Sequence, residues 1–290
     1  MNNLKTGFIN VLKPPGMTSF AVVNWLKKKL NTKKVGHAGT LDPACAGVLP
    51  VAVGSSTKLL EYLDGKKGYV AEMIVGTATT TGDYTGDVVK ASDNIPATAT
   101  LLAALPKFKG KIMQRPPAYS ALKVNGQKAY DLARSGKAVD LAERQVEVTK
   151  LELRELTARK YQLEVECSAG TYIRKLIEDL GEATGTVATM GFLLRYLASG
   201  FNLNSSRTLE EITAAIANGD FSFIENPCKY LNLPTYELPN NRQKPFQNGL
   251  SSYLKDKLPN GEYLVLTNGV LLGVGTVKEQ SLYPSKVLAN

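Results

Sequence analysis

Residues 36–49 read Gly-His-Ala-Gly-Thr-Leu-Asp-Pro-Ala-Cys-Ala-Gly-Val-Leu and place the chain's single histidine, His37, five residues ahead of Asp42. Asp42 stands between Leu41 and Pro43. Proline bars the residue before it from the α region, so Asp42 cannot lie inside a helix. Glycines at 36, 39 and 47 bend this backbone and let a ligand approach it closely. Gly, Asp and Pro also build ordinary surface turns. Here apolar Leu41, Val48, Leu49 and Val51 flank the segment, which implies a packed turn. A carboxylate held in a packed loop beside a lone histidine reads as a working group.

Working outward, Ser19 is placed to cap a helix carrying Val22, Val23, Leu26 and Leu30, with Lys27, Lys28, Lys29, Lys33 and Lys34 following. Such a run forms a solvated face or, lying just before the Asp42 loop, meets phosphate. Tyr69, Ala71, Met73 and Val75 alternate with Val70, Glu72 and Ile74, the pattern of a strand. Tyr161, Leu163, Val165 and Cys167 repeat it. Ser168-Ala169-Gly170 then leads into a helix with Ile173, Leu176, Ile177 and Leu180 on one face, expected to end at Gly181. Thr208-Leu209-Glu210-Glu211 is a capping box that opens a helix through Ile212 and Ile216 and stops it at Gly219. The proline-rich stretch from Leu233-Pro234 to Pro245 reads as a linker. Beyond it, Tyr263 to Leu266 and Val270 to Val277 flank Asn268-Gly269, a hairpin signal that implies a small β domain from about residue 235.

The chain has 290 residues, 43% hydrophobic and 21% charged, which fits a soluble globular protein with one large domain and a smaller one. No run approaches the length of a membrane span, and Met-Asn-Asn-Leu-Lys-Thr has no signal-peptide core, so a cytoplasmic location is expected. Cys45, Cys167 and Cys228 are widely spaced, and one histidine disfavours a structural zinc site. A net charge of +9 suits a polyanionic partner, although it equally suits a generically basic protein. Between about 106 and 145 the sequence changes character. Lys107, Lys109, Lys111, Arg115, Lys123, Lys128, Arg134 and Lys137 interleave with Phe108, Tyr119 and Tyr130. Basic and aromatic residues together suit phosphates and unstacked bases; a solvated amphipathic insertion has the same composition.

The Asp42 segment closely resembles the motif around the catalytic aspartate of tRNA pseudouridine synthases of the TruB family. Lys13-Pro14-Pro15-Gly16-Met17-Thr18-Ser19 is similar to that family's N-terminal motif, and Lys67-Gly68-Tyr69 to the strand with its active-site tyrosine. Pro117-Ala118-Tyr119-Ser120-Ala121-Leu122-Lys123 resembles the start of its insertion. Gly170-Thr171-Tyr172-Ile173-Arg174 and Leu193-Leu194-Arg195 resemble its arginine motif and following leucine–arginine element. The blocks run in the family's order from residue 6 to about 201. Cys45 departs from the small residue usual there.

The resemblance implies an α+β fold: a catalytic domain, residues 1–234, around a mixed, mainly antiparallel sheet with an RNA-binding insertion at about 106–145. A PUA-like RNA-binding β domain would fill residues 235–290. It implies isomerisation of uridine 55 in the T loop of tRNA by a monomer, with no guide RNA, obligate protein partner, membrane or metal. The reaction breaks an N–C bond, turns the uracil and rejoins it through C5, so it requires no cofactor. Asp42 would act on the ribose as nucleophile or base, with Arg174 keeping it ionised. A cation in a helix's first turn opposes the helix dipole, which itself points to a nearby carboxylate. Tyr69 would stack on the target ring, with Tyr172 and Leu193 as pocket walls. The uridine must be flipped out at roughly a few kcal/mol, and His37 would fill the space it leaves. Read from pattern alone, Tyr69 is more often a core strand tyrosine, and ordinary packing is the stronger reading still for Tyr172 and Leu193. A non-catalytic RNA binder has no use for an acid facing a polyanion. A glycoside hydrolase usually pairs two carboxylates, and no second acid lies near the Asp42 motif in sequence.

Overall fold

A computed structural model of the protein describes residues 6–120, 122–124, 126–136 and 139–288. Met1 to Lys5, Ala121 and Lys137 lie outside the described residues, as do the side chains of Lys123 and Lys128. Among the described residues the main body is a nine-stranded sheet. Its principal strands lie in the order Gly7–Lys13, Ala46–Val53, Ala188–Ala198, Lys67–Val75, Lys160–Cys167, Arg144–Thr157 and Gly110–Gln114. All neighbours are antiparallel except Ala46–Val53 beside Ala188–Ala198, which pair in parallel at Leu194↔Ala46 and Arg195↔Gly47. With helices against it, this is a mixed, mainly antiparallel α+β fold.

The two-residue period decides which side is core. Tyr69, Ala71, Met73 and Val75 are buried on one face, opposite Val165, Leu163, Tyr161 and their neighbours on the Lys160–Cys167 strand. The helix Ile173–Ala183 covers that face with Ile173, Leu176, Ile177 and Leu180. It does not end at Gly181 as its sequence implied. A Cβ at 181 would come within 2.9 Å of both Cβ and N of Ala188. That glycine serves close packing of helix on strand, and the helix runs on to Ala183. The first helix, Ser19–Lys29, is likewise shifted by one residue. Thr18 is its cap, accepting from the Ala21 amide, which frees the Ser19 hydroxyl for another use.

The proline-rich segment is not a linker. Thr235–Glu237 pairs in parallel with Gly261–Thr267, and Asn240–Gln247 is helical despite Pro245. These elements belong to a second, five-stranded sheet whose Asn268-Gly269 turn has both residues at positive φ, 51° and 72°, as predicted. The second sheet shares a core with the first: Leu264, Val274 and Leu288 pack among Phe8, Val48, Ala52 and Phe201. Removing residues 235–290 would therefore uncover apolar surface on the main body. No helix among the described residues is long and apolar enough to cross a membrane.

Gly47 decides how the loop meets the sheet. At φ 124° a Cβ would lie 2.2 Å from the Arg195 carbonyl oxygen and 2.6 Å from its nitrogen. Its bare backbone admits the neighbouring strand, where the sequence pointed to a ligand. Gly219, also at positive φ, has open space around it. Gly219→Ala should cost about 1–2 kcal/mol from the left-handed backbone alone. Gly47→Ala should cost clearly more, because the Arg195 strand must also move, and urea titrations of the two variants will show the difference.

Candidate active site

The Asp42 loop is gripped from two sides. On one side Lys13, wholly buried, donates its ammonium to the carbonyls of Pro14, Met17 and Pro43 at 2.8, 2.6 and 3.2 Å. The Gly16 amide also donates to Pro43 O, at 2.8 Å. The Ser19 hydroxyl accepts from Leu41 N at 2.9 Å and donates to Leu41 O at 3.2 Å. On the other side buried Arg195 donates to Val48 O and Gly39 O at 2.8 and 3.0 Å, and more weakly to Thr40 O at 3.5 Å. Two buried cations thus saturate themselves on loop carbonyls, as groups taken out of water must. Leu41 and Cys45 are plugged into the core beside Tyr69 and Ile173, which leaves Asp42 half-exposed at the surface of a packed loop. Burial, reinforced by Asp42, pushes the Cys45 thiol up to about 12, so it is an inert packing residue.

Arg174 meets Asp42 at 3.1 Å, from Nη2 to Oδ2. Only 4% of this arginine is exposed. Its remaining donors go to Thr81 O at 2.7 Å and Tyr119 O at 2.8 Å, and Nε lies 4.0 Å from Oδ2 of Asp83. A second acid therefore stands near the site in space although none does in sequence. Asp83 is buried, and its Oδ1 accepts from the Thr81 hydroxyl and from the amide and hydroxyl of Thr85. With its acceptors so occupied, and absent from the cavity lining, Asp83 braces Arg174 instead of forming a catalytic pair.

A cavity of about 310 Å³ opens beside Asp42, and Tyr69, Tyr172, Arg174 and Leu193 line it too. Tyr69 is buried, and burial raises its phenol to about 12 against the influence of Arg195. Buried Gln114 holds the Tyr172 backbone in both directions, donating to its carbonyl at 3.1 Å and accepting from its amide at 2.8 Å. Five of the six residues singled out from the sequence thus meet around one space. His37 is the exception: it lies on the strand Val35–His37 and is not among the lining residues. Its buried Nδ1 has no hydrogen-bond partner among the described residues, and burial followed by Arg195 lowers its pKa, which favours neutral imidazole.

Sequence reading missed Lys67 and Arg144 in the lining, together with Gln114, Asp83 and the clamping role of Arg195. Only Lys67 left a signal, two residues before Tyr69 on the same strand face. In the insertion, Phe108 packs against the core and is unavailable to bases. Tyr130 is exposed, edge-on to Tyr119 at 6.2 Å, with Arg134 over its ring at 5.3 Å. Lys107, Lys109 and Lys111 are also exposed. Among the described residues no group of His, Cys, Asp and Glu is placed to hold a metal ion.

A family model described as TruB family pseudouridylate synthase (N terminal domain) matches residues 27–173. The tRNA pseudouridine synthase B of Acaryochloris marina (strain MBIC 11017) is 42% identical over 287 residues, covering 97% of this chain and 98% of the relative. That of Alkaliphilus oremlandii (strain OhILAs) is 46% identical over 209 residues, covering 72% and 70%. Among solved structures, a chain of a Cbf5–Nop10–Gar1 complex superimposes with a TM-score of 0.72 at 27% identity, covering 98% of this chain and 85% of that one.

The cavity's lysine carries a stability signature. Burial first, then Arg195 and Arg144, lowers the Lys67 ammonium from 10.5 to about 8. Below pH 8 folded and unfolded chains both hold the proton, and the folded state pays for a poorly solvated charge. Between about 8 and 10.5 the folded state releases it first, so stability attributable to Lys67 rises with pH. Lys67→Met should therefore be more stable than wild type at pH 7, with the gap narrowing as pH rises to 10. Paired denaturant titrations across that range measure it.

Proposed function

This chain belongs to the TruB family of pseudouridylate synthases and isomerises uridine to pseudouridine in tRNA, and we propose that its target is uridine 55 in the T loop, with Asp42 as the reacting carboxylate. The observation that supports this reading most is the Asp42–Arg174 pair at the mouth of the cavity, 3.1 Å apart and backed by a guanidinium with 4% exposure. The buried guanidinium, held by the Thr81 and Tyr119 carbonyls, fixes the position of the carboxylate for attack on the ribose or for removal of its 2′ proton. Tyr69 supplies the flat face for the extruded uracil, and Tyr172 and Leu193 close its sides. His37, neutral and one short strand away, fills the stack that the base has left.

Residues 1–234 form the catalytic domain on this reading, with the insertion at about 106–145 and a PUA-like module at 235–290 gripping the tRNA arm. Exposed Lys107, Lys109, Lys111, Tyr130 and Arg134 supply phosphate and base contacts. The enzyme works in the cytoplasm as a monomer, without guide RNA, protein partner, metal or cofactor. The separate five-stranded sheet built from Thr235–Glu237 onward supports this division.

Incubating unmodified tRNA with the protein and mapping pseudouridine tests the proposal. One new pseudouridine, at the T-loop position, is expected; modification only elsewhere would refute the target. Asp42→Asn changes charge but hardly shape, so it should abolish turnover while binding stays within about threefold, because the surface phosphate contacts that dominate affinity are intact. Turnover retained by that variant would remove Asp42 from its role. Arg174→Lys keeps the charge but loses the planar fork, and should lower the single-turnover rate more than the affinity.

A further inference from the structure

Two cations in the cavity have no part in the chemistry above. Lys67 ends the Lys67–Val75 strand on the face that carries Tyr69, so its side chain enters the same space as the tyrosine ring. Gly39, at φ 80°, makes room for it: a Cβ there would lie 3.0 Å from the Lys67 ammonium. Its backbone is paired within the sheet, but among the described residues the Lys67 ammonium has neither a hydrogen bond nor an ion pair. Arg144 lines the cavity from the other wall. It lies over the Tyr172 ring at 5.1 Å and donates one Nη to Gly170 O, while its buried Nε has no hydrogen-bond partner among the described residues. Among the described residues Arg144 makes no salt bridge either. Among the described lining residues Asp42 is the one carboxylate, and it is taken by Arg174, while Asp83 lies outside the lining.

Like charges brought together in a partly closed space repel, and with no counter-ion the arrangement costs stability. Its persistence makes sense when a ligand supplies the missing negative charge. Uracil attached to ribose is neutral and offers two carbonyl oxygens beside an N3–H donor that no cation can pair with. It carries negative charge only while its bond to the ribose is broken. A phosphodiester offers a full negative charge and several acceptor oxygens, which suits one ammonium and one unsatisfied guanidinium N–H. We propose that Lys67 and Arg144 form a subsite for a backbone phosphate directly adjoining the target uridine, fixing the flipped nucleotide's ribose against Asp42. This rests on the reading of Asp42 as the reacting group of an RNA isomerase. Lys67 and Arg144 are then positioning residues. They hold the ribose by its phosphate and add specificity for a nucleotide within a chain over a free nucleoside.

The experiment uses T-arm stem-loops in which the phosphate on the 5′ or the 3′ side of the target uridine is a neutral methylphosphonate. Wild-type turnover of the unmodified stem-loop is the control, and its failure would count against the proposed function and not against the subsite. At one of the two positions the wild-type single-turnover rate should fall roughly 10- to 100-fold, the scale of one lost charge-assisted hydrogen bond. Lys67→Met should lose a similar factor on the natural stem-loop and be almost insensitive to that same methylphosphonate, since the interaction is already gone. Lys67→Arg, which keeps the charge, should recover both the rate and the sensitivity in part. Circular dichroism on each variant separates loss of fold from loss of contact. The subsite is refuted if wild type tolerates both methylphosphonates, or if Lys67→Met remains as sensitive to each as wild type. Equal rates for Lys67→Met and wild type on natural RNA would refute it as well.

Discussion

The guanidinium of Arg174 is the constraint around which the site is assembled. A cation with 4% exposure must find acceptors inside the protein or impose a penalty of several kcal/mol. It finds them on separate parts of the chain: the Asp42 carboxylate, the Thr81 carbonyl next to Asp83, and the Tyr119 carbonyl at the head of the insertion. The helix Ile173–Ala183 delivers this charge to one point because Ile173, Leu176, Ile177 and Leu180 lock the helix onto the sheet. One buried charge thus couples the loop, the turn after the Lys67–Val75 strand and the insertion.

The loop that brings Asp42 to Arg174 has little regular structure of its own. Its order comes from elsewhere: Lys13 and Ser19 on the amino-terminal side, Arg195 on the other, and Leu41 and Cys45 sunk in the core. Such an arrangement meets the entropic cost of placing the carboxylate during folding instead of at each turnover. It also explains why the glycines serve protein contacts. Gly47 admits the Arg195 backbone, and Gly39 leaves room for the Lys67 ammonium.

Much of this was legible from residue order. Alternation at Tyr69–Val75 and Tyr161–Cys167 marked two central strands, and Asp42-Pro43 marked an irregular loop because the proline rule is local. The misreadings were tertiary. Gly181 has the residue type of a helix end, yet its helix continues because the strand at Ala188 needs the missing Cβ. Pro234 to Pro245 has the composition of a linker, but Thr235–Glu237 finds a partner strand nearly thirty residues on. Phe108 looked available to bases and is held by the core. Lys67 shares the strand period of Tyr69 but nothing in it marks a cavity, and Arg144 and Asp83 carry no signal at all, since their meaning lies in what the fold sets beside them. His37 adjoins Asp42 in sequence but is kept outside the cavity lining by its short strand.

If Asp42 is held by these clamps, its loop must be as rigid as the sheet before any RNA arrives. Hydrogen exchange of the Leu41 and Cys45 amides in the free protein reads this directly, because the first is donated to the Ser19 hydroxyl and the second to the Asp42 carbonyl. The account predicts protection within roughly tenfold of the amides in the Lys67–Val75 strand, as expected of one cooperative unit. Exchange as fast as in the exposed segment around residues 255–257 would contradict it, and would mean that substrate, not the fold, puts the carboxylate in place.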